Sequence, residues 1–77
     1  MARATILDWT DAQVLMKRDE HRDVKYTVYR DGKKHFLEIR GADEKPIHTL
    51  ELPVGMRLDK SSYEVLLRYV LLNVVAA

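Results

Sequence analysis

The chain has 77 residues with 13 basic and 12 acidic side chains, a net charge of +1 and no cysteine. A chain this short allows one domain with a thin core, burying only about 60% of its unfolded surface. The composition excludes disulfides and thiolate metal sites and exerts no global pull toward nucleic acid or acidic lipid; with 47% apolar residues it argues against disorder.

At the start, "MARATILDWTDAQ" has no long apolar run and carries an early acid. No secretory signal is expected there, and a cytoplasmic location is. The stretch "LDWTDAQVLMKR" from Leu7 resembles "LDKSSYEVLLRY" from Leu58. Both contain a capping-box pattern, Thr10-x-x-Gln13 and Ser61-x-x-Glu64, in which a hydroxyl bonds the N3 amide and the third residue reaches back. The likeness is read as shared helix-start chemistry, because the region between has no counterpart. It predicts a first helix over about residues 11–20, with Trp9 as an anchor into the core. The alternative for Val14 to Met16 is a strand.

The middle alternates. "VKYTVYR" (24–30) and "HFLEIR" (35–40) are rich in β-branched and aromatic residues and flank Asp31-Gly32. Asp-Gly between alternating runs signals a hairpin with a type I′ turn, which needs φ > 0 at both central positions. With Asp31 and Gly32 as the turn, Val28 faces His35, Tyr26 faces Leu37 and Val24 faces Ile39, and on the other face Lys25 meets Glu38. A third strand, "IHTLEL" (47–52), follows Pro46, with Leu50 expected opposite His35 and His48 opposite Leu37.

The last helix, about 62–75, has two apolar stripes. One holds Tyr63, Leu66, Leu67, Val70, Leu71 and Val74; the other holds Val65, Tyr69, Leu72 and Ala76. Glu64 and Arg68 form an i, i+4 pair between them. A helix apolar nearly all round is covered on more than one side, yet this one is too short to span a membrane. The surplus predicts a homodimer through Val65, Tyr69 and Leu72. The expected fold is therefore α+β in the order α-β-β-β-α, with a three-stranded antiparallel meander and both helices packed on one face.

Sites are sparse. His21, His35 and His48 lack zinc-ligand spacing, so no metal is expected, and no cofactor either. Ser61 and Ser62 are explained as helix caps and the three glycines as turn residues, so no catalytic residues are assigned. The outer sheet face and hairpin tip offer Tyr29, Arg30, Lys33, Lys34, Phe36 and Arg40. Aromatic and arginine side chains dominate interface energies, and basic groups interleaved with aromatics can also track a phosphate backbone and stack bases. From Lys17 to Lys34 there are seven basic and four acidic side chains, a modest excess. An ordinary solvated face accounts for the same residues. The function expected is a small non-enzymatic protein that binds another protein stoichiometrically: a regulator, inhibitor or accessory subunit, of the kind phages and mobile elements encode. The alternative is a nucleic-acid-binding regulator using the same face.

Overall fold

The computed structural model describes residues 3–53 and 59–75. Four strands run in chain order: β1 (Arg3–Leu15), β2 (His21–Asp31), β3 (Lys34–Gly41) and β4 (Pro46–Leu52). They form one antiparallel sheet in the order β1-β2-β3-β4. Among the described residues a single α-helix follows, α1 (Lys60–Tyr69), continued by a wider π-helical turn, Val70–Val75. The α-β-β-β-α arrangement with a three-stranded sheet is thus overturned: the expected first helix is the long edge strand β1.

The cause lies in β1 itself. Ala12, Val14 and Met16 alternate with Asp11, Gln13 and Leu15, a period of two. Ala12 sits opposite Val24 and Thr10 opposite Tyr26, so β1 extends the apolar face of β2. Two bulges break this phase, one between Thr5 and Leu7 and one between Leu7 and Thr10. A bulge adds one unpaired residue, so the inward positions Leu7 and Thr10 lie three apart and mimic helical spacing. Thr10, taken for a cap, serves the bulge instead: its Oγ1 donates to the Asp8 carbonyl at 2.9 Å, while Asp8 Oδ1 accepts from the Trp9 amide at 2.8 Å. Thr27 Oγ1 donates to the Leu7 carbonyl at 2.6 Å and satisfies the bulged backbone from β2. β1 ends in a 3₁₀ turn, Lys17–Asp19, where Arg18 and Asp19 both take positive φ, 60° and 58°.

The hairpin of β2 and β3 turns on Gly32 and Lys33, and Asp31 pairs with Lys34. Gly32 has φ 64° and Lys33 is not in the left-handed region, the type II′ pattern with glycine first. This spares Asp31 the positive φ that a type I′ turn would demand. The register consequently moves two residues from the sequence expectation: Val28 faces Leu37, Tyr26 faces Ile39, and Arg30 faces His35. The faces are unchanged, because a two-residue shift preserves side-chain parity. β4 moves by two in the same way, with Leu50 opposite Leu37 and His48 opposite Ile39. Proline opens this edge strand, where its missing N–H costs no ladder bond.

The core lies between the inner sheet face and the helix. Val14, Val24, Tyr26, Val28, Leu37, Ile39 and Leu52 from the strands meet Leu67, Val70 and Leu71. Tyr26 and Tyr63 pack with ring centroids 5.9 Å apart. Asp59, rather than Ser61, caps α1: its carboxylate accepts from the Ser62 amide at 2.8 Å. That bond holds the Asp59 carboxyl below its ordinary pKa. Arg68 does not pair with Glu64; its Nε donates to the Leu15 carbonyl at 2.9 Å and ties the helix to the end of β1. Ala76 and Leu58 lie outside the described residues.

Candidate functional site

Among the described residues, one side of the sheet has no helix over it, and the aromatic and charged contacts below lie there. Tyr29 and Phe36 are directly opposed across β2 and β3, stacked with centroids 5.4 Å apart at 25°. The two-residue register shift creates this pair; the expected register would have set Tyr29 against Lys34. Arg3 from β1 lays its guanidinium over the Tyr29 ring, 3.6 Å from the centroid. At the other end, the Arg40 guanidinium stands 4.6 Å from the centre of the Trp9 ring. Between them is Glu38. Its two oxygens accept from Arg3 at 3.1 Å and from Arg40 Nε at 2.9 Å, and only 14% of its side chain remains exposed.

The result is a continuous chain of contacts across three strands, Trp9–Arg40–Glu38–Arg3–Tyr29–Phe36. Each link is of ordinary strength. An aromatic pair adds about 0.5–1.5 kcal/mol beyond its buried area, and an exposed cation–π contact about 0.5–1 kcal/mol. Together they hold the long side chains against one another, and ordering of this kind lowers the entropic cost of any contact made there. Trp9 ends the array and is not the core anchor expected of it. The bulge after Leu7 puts it on the outer face, 40% exposed. Ile6, in the other bulge, is 53% exposed.

Of the sequence-predicted contacts, Tyr29, Phe36 and Arg40 are brought together. Lys34 shares their face and lies 3.9 Å from Glu51. Arg30 is not part of the cluster: it lies opposite His35, on the inward-facing parity of β2, and is exposed. Lys33 sits in the turn. Arg3 and Trp9 were missed. The cue for Trp9 was the alternation of Asp11 to Leu15, which makes the segment a strand; Arg3 has no local cue, since only β1 pairing brings it to Tyr29.

The electrostatics of this face are balanced. Besides the two arginines on Glu38, Lys25 lies 3.6 Å from Glu44. All four basic side chains of the cluster and its border, Arg3, Lys25, Lys34 and Arg40, therefore have an acid within ion-pair distance.

His35 and His48 are not diagonal neighbours, as the expected register had them. They stand opposite Leu52 and Ile39, four residues apart along β3, about 13 Å at strand rise. Among the described residues no cluster of three or more His, Asp or Glu side chains has metal-binding geometry. A surface groove of about 520 Å³ is lined by Asp11, Ala12, Gln13, Asp23, Val24, Lys25 and Ala42, with no hydroxyl or thiol side chain. No helix among the described residues is long and apolar enough to cross a membrane.

Comparison of the chain with family models, with curated proteins and with solved structures gives no match. The reading of this face therefore rests on its own geometry.

Proposed function

We propose that this chain is a cytoplasmic, non-enzymatic binding protein that acts by stoichiometric contact between its outer sheet face and another protein. The observation that carries this is the Trp9–Arg40–Glu38–Arg3–Tyr29–Phe36 array. It joins the three residue types that most often dominate interface energies, tryptophan, tyrosine and arginine, in a preordered layer on a face that an antiparallel sheet ordinarily leaves to solvent and polar residues. The guanidiniums of Arg3 and Arg40 still have N–H donors beyond those given to Glu38. They suit a partner that offers carboxylates or backbone carbonyls beside apolar surface.

The nucleic-acid alternative draws less support from the same geometry. Phosphate binding draws on basic groups with counterions to release, and the basic residues of this face are already matched to Glu38, Glu44 and Glu51. Arg30 and Lys33 at the hairpin tip remain, separated from the aromatic layer.

Affinity capture from the native cell extract, with one half treated with nuclease, tests the proposal. The expected result is one protein partner retained in both halves, and lost when Tyr29→Ala and Phe36→Ala are combined. Recovery of nucleic acid, with every protein lost after nuclease, would replace this reading with the alternative and direct mutagenesis to Arg30, Lys33 and Lys34.

A further inference from the structure

The helix carries a second surface, remote from the outer sheet face. Val65 is 69% exposed, Tyr69 58% and Leu15, at the adjoining end of β1, 44%. With half-buried Leu72 they line two adjoining shallow grooves of about 350 and 230 Å³ along the flank of the helix. Glu64 and Arg68 stand in this strip four residues apart, yet no ion pair joins them among the described residues, because Arg68 turns to the Leu15 carbonyl.

We infer that this strip receives a second copy of the chain, with the two helices antiparallel about a two-fold axis. A two-fold interface is self-complementary: if residue i meets residue j, then j meets i. Antiparallel apposition sets Val65 against Tyr69 of the other copy and Tyr69 against its Val65. In that register Glu64 lies within about 3 Å of level with Arg68 of the other copy, on the same flank of the helix pair, and Arg68 likewise with its Glu64. One acid and one base at this spacing thus match each other across an antiparallel two-fold, whereas a parallel two-fold sets opposite flanks of the helices together and pairs neither. A stable interface covers about 800 Å² of each partner, close to a seventh of this chain's surface of 5643 Å².

Sedimentation equilibrium of the whole chain across the micromolar range tests this. The expected result is a species of twice the 9.0 kDa chain mass. Tyr69→Lys and Glu64→Arg should each weaken the dimer about tenfold or more by burying a charge or opposing two bases. The double change Glu64→Arg with Arg68→Glu should recover it. Val65, Tyr69 and Glu64 are exposed, so their variants should keep the wild-type circular dichroism. A monomer throughout the range overturns the proposal, as does a dimer indifferent to Tyr69→Lys and to the charge changes. Loss of the dimer with partner capture intact would leave the outer-face reading untouched.

Discussion

Glu38 holds two guanidiniums on one carboxylate, and each guanidinium in turn lies on an aromatic ring. The carboxylate is well covered, but the Arg3 and Arg40 side chains are 57% and 38% exposed, so solvent screens much of the attraction. Glu38→Gln keeps the shape and removes the charge. It should lower unfolding stability in urea by about 1 kcal/mol and weaken partner capture, because both arginines lose the group that aims them. Tyr26 makes a different prediction. Burial first, then nearby Glu64 and Tyr63, raises its hydroxyl pKa above the ordinary value. A raised folded-state pKa contributes stability that is complete below about pH 10 and is lost as pH rises through the folded value. Tyr26→Phe should therefore flatten the alkaline limb of the stability profile relative to wild type. The Asp59 cap has the opposite sign: its depressed pKa contributes above the ordinary carboxylate range and fades as pH falls.

At the level of elements, β2 and β3 were legible from alternation and a glycine turn, and β4 from its apolar period after a proline. Their pairing was not. Asp-Gly favours a turn one residue earlier, and only the stacking of Tyr29 on Phe36 and the conformation of Gly32 select the register seen. β1 was misread because bulges shift its period from two to a local three, and because a Thr-x-x-Gln pattern fits a helix cap as well as a bulged strand. The helix was legible, and so was the part of its first stripe that meets the sheet, Tyr63, Leu66, Leu67, Val70 and Leu71, although Val74 of that stripe is 45% exposed; its cap was legible only approximately. The candidate site was half legible: Tyr29, Phe36 and Arg40 follow from alternation, but Arg3 and Trp9 arrive through long-range pairing. The β1–β2 connection also carries a local cost. Arg18 at φ 60° and ψ 38° lies in the left-handed region, which costs a residue with a Cβ about 1–2 kcal/mol, partly offset in glycine by its larger unfolded-state entropy. Arg18→Gly should raise stability by up to about 1 kcal/mol, read from the denaturation midpoint with an unchanged m-value.

At the scale of the whole molecule, the four-stranded sheet carries, among the described residues, one α-helix on one face. The inner layer holds the buried core and the outer layer is left to solvent. Two surfaces then exceed what folding alone requires: the aromatic and arginine array outside, and the apolar flank of the helix. On the readings proposed above, the flank would join two copies and the outer face would hold a target, so a dimer would present two target faces. Small domains gain by such association, since their cores supply little stability alone.

The most direct test of the central claim is backbone and side-chain NMR mapping of the labelled chain as its captured protein partner is titrated in. Perturbation centred on the Trp9 indole, Tyr29, Phe36 and Arg40 is the result predicted here. Perturbation confined to Val65 and Tyr69, or to the hairpin tip at Lys33, with the aromatic array unmoved, would contradict it.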